Sequence, residues 1–335
     1  MRGTNRSWTN LGRAYLFGVI LSGAIGLGTE GRLDAEQGVP EAQGLSTLSP
    51  QAGESIEEDK AEAVKRYRLA ADKGDVEAQF NLGIAYYYGE GVKEDKAEAA
   101  RWYRLAAEQG DGDAQLYLGS AYCFGEGVNK DMAEAAKWWR LAADQGNASA
   151  QFNLGCSYYS GEGVNEDKAE SVKWSRLAAE QGDAKAQFNL GHAYYYGEGV
   201  KEDKAEAARW YRLAAEQGDV KAQFSLGHAY YFGEGVNEDM AEAVKWWRLA
   251  AEQGDATAQF NLGYTYYYGE GVKEDKAEAV KWWRLAAEQG DVKAQLSLGS
   301  AYFWGEGVKE DKAEAAKWWR LAVEQWLIKP ILKLK

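Results

Sequence analysis

The chain has 335 residues and a formal net charge of −13, and charged residues make up 27% of it. Nucleic-acid binding needs a basic stripe that displaces counterions from phosphates. No such stripe occurs in this sequence, so neither DNA nor RNA is an expected partner. The two cysteines, Cys123 and Cys156, leave open either a disulfide or two free thiols.

The first 37 residues have the layout of an export signal. Three arginines, Arg2, Arg6 and Arg13, precede an apolar run over residues 14–28, and no acidic residue comes before it. This layout is typical of a secretory signal peptide, although no clear small-x-small cleavage site comes after it. The run is shorter than the roughly 20 apolar residues that a membrane-spanning helix needs. Export and retention in the cytoplasm both stay open, and this segment, if uncleaved, is the only membrane contact expected.

Residues 1–37 also resemble an eroded repeat, because residues 32–38 match residues 104–110, two periods of 36 residues later. Residues 38–73 read as a degenerate repeat. Its beginning contains two prolines and has no apolar periodicity, which predicts a loose segment over residues 39–55. The first well-formed helix is expected at residues 58–73, as a half-unit cap for the repeats that begin at Gly74.

Residues 74–325 repeat every 36 residues. Seven full copies occur, at residues 74–109, 110–145, 146–181, 182–217, 218–253, 254–289 and 290–325. A fixed period of this size predicts stacked supersecondary units that bury their apolar faces against their neighbours.

One unit predicts a pair of helices joined by a short loop. With Gly74 as position 1, positions 2 to 15 carry apolar residues at helical spacing. Two glycines in the loop at residues 89–91 can end this helix at positive φ. Asp95 is placed to cap a second helix, with Glu98 as the reciprocal partner of a capping box, and Gly110 ends that helix. The acidic residues beside the loop glycines argue against a phosphate site, so the loop is interpreted as a helix cap.

The motif resembles that of the Sel1-like repeat family, a relative of the tetratricopeptide repeats. The residues that carry the resemblance are AQFNLGIAYYYGEGV at 78–92, DKA at 95–97, WY at 102–103 and AAEQG at 106–110. The resemblance implies an all-α, right-handed solenoid of antiparallel helix pairs that serves as an adaptor for protein complexes. Some secreted, cysteine-rich members are linked to β-lactam binding or hydrolysis, but their paired cysteines are absent here.

Comparing the seven units separates packing positions from surface positions. Positions 5, 6, 9, 10 and 13 hold the same residue in every unit, which predicts that they pack between helices. Adjacent rings in the second helices, such as Trp246 and Trp247, are expected to pack with one ring buried and the other half exposed. Positions 4, 8, 11 and 15 vary and share one stripe of the first helix. By analogy with related solenoids, we expect this stripe to line a concave, acidic groove.

The stripe provides the candidate partner-binding residues. Position 8 holds Asn81, Tyr117, Asn153, Asn189, Ser225, Asn261 and Ser297; position 11 holds Ile84, Ser120, Cys156, His192, His228, Tyr264 and Ser300; and position 15 holds Tyr88, Phe124, Ser160, Tyr196, Phe232, Tyr268 and Trp304. Carboxamides beside aromatic rings suit an extended peptide, because they pair with its backbone while rings supply apolar area. The alternative is that the rings cover the turn and the asparagines fill solvated space.

No catalytic or metal-binding constellation is expected. Cys156, His192 and His228 share position 11 of three successive units, but stacked helices lie about 8–10 Å apart, too far for one shared ion. No Ser-x-x-Lys motif of serine β-lactamases occurs. The sequence therefore predicts a non-enzymatic adaptor without cofactor or metal. A secreted β-lactam-binding or hydrolysing protein and a spacer array without ligand are the alternatives.

The C-terminal residues 326–335 depart from the repeat. Trp326 replaces the glycine that ends every other second helix, so that helix is expected to continue to Lys329, before Pro330. The apolar residues beyond are predicted to fold back as a cap over the final unit. The alternative is an amphipathic contact with an acidic membrane or partner. We expect a monomer.

Overall fold

The structure is a computed structural model that describes the backbone of residues 53–332 and the side chains of residues 59–325. The predicted export signal, the eroded repeat and most of the loose segment lie outside these residues. Over residues 53–332 the chain is all-α, with fifteen helices and no strand. Within the described residues, none of the helices combines the length and the apolar character that crossing a bilayer requires.

The chain forms two compact units, one ending at Glu166 and the other beginning at Asp167. The first contains α1 (Gly53–Ala71), α2 (Val76–Tyr88), α3 (Lys96–Glu108), α4 (Gly112–Phe124), α5 (Met132–Asp144) and α6 (Ala148–Ser160). The second contains α7 (Lys168–Glu180), α8 (Ala184–Tyr196), α9 (Lys204–Glu216), α10 (Val220–Phe232), α11 (Met240–Glu252), α12 (Ala256–Tyr268), α13 (Lys276–Glu288), α14 (Val292–Trp304) and α15 (Lys312–Leu332). Within each unit, helices that are consecutive in the chain pack together, which confirms the tandem helix pairs.

The first helix of each pair begins one residue later than predicted, at position 3. In α2 the carboxylate of Asp75, at position 2, accepts a hydrogen bond of 2.8 Å from the backbone N–H of Ala78 and so caps the helix. The helix ends at Gly89, which adopts a left-handed conformation with φ of 69°. The predicted glycine stop is therefore present.

The capping of the second helix differs from the predicted capping box. The carboxylate of Asp95 accepts hydrogen bonds from the N–H groups of Ala97 and Glu98, both at 3.0 Å. The backbone N–H of Asp95, however, donates to the carbonyl of Tyr86 at 2.9 Å, so it is not available to Glu98. The reciprocal role predicted for Glu98 is therefore wrong. Its carboxylate pairs instead with Arg101 on the same helix, at 3.2 Å.

The positions predicted to pack are buried except position 13, whose tyrosines are half-buried in every full repeat but the first. Leu82 and its counterparts at position 9 have no exposed surface, and the glutamines at position 6 are buried in every repeat. Each glutamine is also bonded. The side-chain N–H of Gln79 donates to the carbonyl of Ala71 at 3.1 Å, and its oxygen accepts from Gln109 at 2.7 Å. Buried carboxamides that satisfy their bonds in this way join one repeat to the preceding helix at little desolvation cost.

The adjacent tryptophans behave as predicted. Trp247 is almost fully buried, whereas Trp246 is half-buried. The buried ring lies against Gly227 at position 10, where an added Cβ would come within 2.5 Å of Trp247 Cδ1. The invariant glycine therefore leaves the space that this ring occupies.

Both ends of the helical array differ from expectation. Helix α1 begins at Gly53, earlier than the predicted residue 58, and ends at Ala71. Helix α15 runs on to Leu332, so the prediction that the backbone leaves the helix at Lys329 was wrong. Trp326 stands where every other second helix has its terminating glycine, which lets the helix continue as predicted, but Pro330 does not end it. The side chains of residues 326–335 lie outside the described part, so their packing as a cap stays a prediction.

Candidate binding surface

Position 15 is the last residue of the first helix in each repeat, directly before the glycine that ends it. In the second unit all four position-15 residues are aromatic, and we call them the ring row: Tyr196, Phe232, Tyr268 and Trp304. Tyr196 is 45% exposed, Tyr268 56% and Trp304 70%, while Phe232 is half-buried. These rings are accessible to a partner.

Three rings of the row are held by other aromatic rings. One turn earlier, at position 11, a ring lies 4.5 to 4.6 Å away between centroids; the pairs are His192–Tyr196, His228–Phe232 and Tyr264–Tyr268. The residue before each of these rings contacts it edge-on at 4.8 Å, and Phe303 contacts Trp304 in the same way at 4.7 Å. Contacts on two sides restrict ring rotation, so little side-chain entropy remains to be lost on binding.

The two histidines of position 11 are mostly buried and lie beside loop glutamates. The Nδ1 atom of His192 is 3.7 Å from Glu198 Oε2, and that of His228 is 3.5 Å from Glu234 Oε2. Burial lowers the pKa of both imidazoles, to about 4 for His228, and outweighs the neighbouring carboxylates, which act in the opposite direction. Both side chains are therefore neutral near pH 7 and support the ring row through their faces.

The glutamate between the two loop glycines, at position 17, links successive repeats. We call this arrangement the clamp: a tyrosine at position 14 and a lysine at position 23 bond the position-17 glutamate of the next repeat. Glu234 accepts hydrogen bonds from the hydroxyl of Tyr195 and, at 2.7 Å, from Lys204. Burial acts to raise the pKa of Glu234, but these bonds outweigh it and the pKa is lowered. Glu126 in the first unit is held in the same way by Tyr87 and Lys96.

The clamp is not apparent from local sequence patterns, which identify the loop only as a helix cap. The available signal is that tyrosine at position 14, glutamate at position 17 and lysine at position 23 recur together. Among the repeats that are followed by another full repeat, two depart from it. Met240 replaces the lysine that would bond Glu270, which keeps its hydrogen bond of 2.5 Å from Tyr231. In the first unit, Cys123 and Met132 replace both donors at once.

The loop glycine that comes after the clamp glutamate permits a close approach to the preceding repeat. Gly235 has φ of 73°, and an added Cβ would lie 1.9 Å from the carbonyl oxygen of Lys204. Glycine is therefore required here both for its backbone conformation and for space.

Position 8, the middle of the predicted stripe, is less accessible than expected. Asn153, Asn261 and Tyr117 are buried, and the other members are half-buried. Tyr117 packs edge-on against Phe80 of the preceding repeat, with ring centroids 5.4 Å apart. Seven residues bring a helix back to nearly the same side, so positions 8 and 15 differ in height along the helix and not in direction. The groove role predicted for Asn153 and Asn261 is therefore not compatible with their burial.

The first unit offers a weaker version of the same surface. Positions 11 and 15 pair Ile84 with Tyr88, Ser120 with Phe124 and Cys156 with Ser160, so no repeat of this unit places two rings there. Tyr88 is 44% exposed, and Ser120 is buried. Cys123 is buried, Cys156 is half-buried, and the two do not form a disulfide.

Carboxylates surround the ring row. The pKa of Tyr196 is raised, first by burial and then by Glu234 and Glu198. The pKa of Tyr268 is raised in the same way by burial, Glu306 and Glu270. Among the described residues no group of three or more acidic, histidine or cysteine side chains is arranged to hold a metal ion.

Comparison with known proteins identifies the repeat. The model of the Sel1 repeat matches residues 50–75, 76–111, 112–147, 148–183, 184–219, 220–255, 256–291 and 292–325. A comparison with curated proteins finds no match.

Two solved structures are similar over most of the chain. One is c5321, a protective antigen of uropathogenic Escherichia coli strains with an SLR fold, which is 41% identical at a TM-score of 0.75. That match covers 78% of this chain but only 56% of the E. coli protein. The other is a Sel1 repeat protein from Oxalobacter formigenes, 36% identical at a TM-score of 0.64, covering 84% of this chain and 82% of that one. The eight repeat matches and these structures show that the chain belongs to the Sel1 repeat family.

Proposed function

We propose that this chain is a protein-interaction scaffold whose partner lies along the ring row of the second unit. Sel1 repeat proteins are generally scaffolds for protein interactions and are typically non-catalytic. The fold class therefore supports a binding role, and the question is which surface binds.

The observation that carries the proposal is the combination of exposure and order in the ring row. Large aromatic side chains are 45 to 70% exposed at Tyr196, Tyr268 and Trp304, and each is in contact with at least one neighbouring ring. Aromatic anchors that are rigid before binding add contact area at low entropy cost, and such residues dominate many interfaces. An extended peptide that crosses the row would contact one ring per repeat.

Peptide panning with matched variants tests this proposal. A library of random 12-residue peptides is panned on the immobilised full chain, and the affinity of enriched peptides is measured by fluorescence anisotropy. The double variant Tyr196→Ala/Tyr268→Ala should weaken enriched peptides at least about tenfold, as expected when hot-spot rings are lost. The matched control is Leu213→Ala/Leu249→Ala, which truncates two side chains exposed to 41 and 43% on the second helices.

The control should change affinity less than about twofold, because those leucines lie outside the ring row. Melting temperatures of both variants are measured alongside, so that unfolding is not mistaken for lost binding. Enriched peptides that bind the ring variant as well as they bind the wild type would overturn the proposal, as would the absence of any enriched peptide.

A further inference from the structure

We infer that the ring row recognises an extended, basic segment with a lysine or arginine at about every third residue, an inference that rests on the proposed function. Four features support it: the charge of the loops beside the rings, one clamp glutamate without a lysine, the cation contacts inside the clamps, and the spacing of the repeats.

The loops that come after the ring row are acidic in every repeat. Each of the loops at residues 197–204, 269–276 and 305–312 contains three acidic and two basic residues. The loop at residues 233–240 contains three acidic residues and no basic one. An exposed glutamate at position 21 lies next to the end of the first helix; the Cβ of Glu202 is 3.3 Å from where a Cβ on Gly197 would sit. A partner segment on this surface meets negative charge at every repeat.

Glu270 is the clamp glutamate of the second unit that lacks a lysine; it bonds Tyr231, the residue before Phe232, and acts to raise the pKa of Tyr268. Met240 occupies the place of Lys204 and Lys276, which bond Glu234 and Glu306 at 2.7 Å in the neighbouring clamps. Among the described residues Glu270 has the hydroxyl of Tyr231 as its donor and no lysine. A cationic side chain from a partner would supply the missing charge here.

The chain already uses this recognition chemistry internally. In the clamps, Lys204 lies 5.0 Å from the centre of the Tyr195 ring and Lys276 lies 4.7 Å from that of Tyr267, while each also bonds a glutamate. A cation held between an aromatic face and a carboxylate gains from both contacts. The exposed rings of the row, with glutamates beside them, offer the same pair of contacts to a partner.

The spacing sets the pattern of the ligand. Phe80 and Tyr117, on successive first helices, are in ring contact, so these helices are neighbours, and neighbouring helices lie about 8–10 Å apart. An extended chain of the polyproline II kind advances about 3.1 Å per residue and has three residues per turn, so every third side chain faces the same way. Three residues of ligand therefore cover one repeat. A basic residue at every third position can meet each ring in turn, whereas a block of basic residues meets only one.

Four fluorescein-labelled 12-residue peptides test the inference on the full chain by anisotropy. The first peptide carries arginine at every third position among glycine and serine, and the second has the same composition with its arginines in one block. The third peptide has glutamate in place of each arginine of the first. The fourth is neutral and has tyrosines at the same spacing. The spaced basic peptide should bind at least about fivefold more tightly than the blocked one, and the acidic peptide should not bind. Raising the salt from 50 to 300 mM should weaken binding, because charge contacts at an exposed surface are screened.

Two matched variants separate local charge from total charge. Met240→Lys supplies a lysine to Glu270 without altering any ring, and should weaken the spaced basic peptide at least about threefold while leaving the neutral peptide unchanged. Met132→Lys adds the same charge at the equivalent position of the first unit and should have little effect.

Equal binding of the spaced and blocked peptides, or equal effects of the two lysine variants, would overturn the inference. If ring-dependent peptides from the panning lack basic residues, the inference fails and the proposed function stands; if binding is independent of the rings, the proposed function fails.

Discussion

At the scale of single residues, Glu234 shows how one side chain joins two repeats. It accepts hydrogen bonds from Tyr195 and Lys204 of the preceding repeat, and it lies beside His228 of its own. The side chains of Lys204 and Glu234 are 36 and 24% exposed, so solvent screens their attraction in part. Such a pair is worth about 0.2–1 kcal/mol.

Exchange of lysine and methionine at position 23 tests the value of the clamp. Lys204→Met should lower the melting temperature by about 1–3 °C, because Glu234 loses its charged donor. Met240→Lys should raise it by a similar amount, because Glu270 gains one. The two variants make the same exchange in opposite directions, so general effects of side-chain volume cancel. Shifts of the same sign in a thermal melt would contradict the assigned role.

His228 makes the second unit sensitive to acid. Its pKa in the folded chain is about 4, below the ordinary value of 6.5, because it is buried. The unfolded chain therefore binds this proton first, and stability should fall as the pH is lowered from about 6.5 towards about 4. The lowered pKa of Glu234 adds a further loss below the ordinary range of a glutamate.

Tyrosine in place of His228 should remove part of the pH dependence of stability. The next repeat already has a tyrosine, Tyr264, at the same position. We expect His228→Tyr to have a smaller fall in melting temperature between pH 7 and pH 4.5 than the wild type has. His192→Tyr serves as a comparison, because its pKa is also lowered by burial. If the melting temperatures of the wild type and of His228→Tyr fall equally between pH 7 and pH 4.5, His228 does not titrate in this range.

At the scale of the helix pair, loop glycines serve two different purposes. Gly235 and Gly218 both have positive φ, 73° and 94°. An added Cβ would lie 1.9 Å from the Lys204 carbonyl at Gly235, but at Gly218 it would have no neighbour within 4 Å. The first glycine is needed for space and conformation, the second for conformation alone.

The two alanine variants separate these purposes. Gly218→Ala should cost about 1–2 kcal/mol, because a residue with a Cβ is strained in a left-handed backbone conformation. Gly235→Ala should cost about 3 kcal/mol or more, because the loop must also move away from the preceding repeat. Differential scanning calorimetry of both variants gives the comparison. Equal losses would mean that the close approach contributes nothing to stability.

At the scale of the whole molecule, the repeats should act as interchangeable modules. Within each unit, a first helix packs on its paired second helix and on the second helix before it, so the stabilising contacts are mainly between neighbours. A chain of this kind is expected to tolerate the loss of a whole repeat more easily than the loss of half a repeat.

Two deletions of different length test the modular arrangement. Removal of residues 220–255 joins Asp219 to Ala256 and keeps the alternation of first and second helices, so the chain should stay folded with unchanged helical content per residue. Removal of residues 220–237 deletes α10 with most of its loop and exposes Trp247, which should lower the melting temperature sharply or cause aggregation. Circular dichroism and thermal melts distinguish the two. Comparable damage from both deletions would count against independent repeats.

The sequence by itself determined the all-α class, the 36-residue period, the glycine stop of each first helix and most of the packing positions. These result from local rules: Gly89 ends the first helix, Asp95 caps the helix that it precedes, and identical residues such as Leu82 in every repeat indicate an identical environment. The ring row was within the predicted stripe for the same reason, because position 15 keeps a ring in six of seven repeats.

Only the tertiary structure decided which members of that stripe are accessible and what the loop glutamates bond. Helical periodicity gives the direction of a side chain but not how far the neighbouring repeat extends along the helix, so Asn153 is buried and Tyr196 is exposed although they occupy one stripe. The clamp joins residues 39 and 30 positions apart, Tyr195 and Lys204 with Glu234. A contact over that separation is set by how repeats stack, which local sequence patterns do not encode.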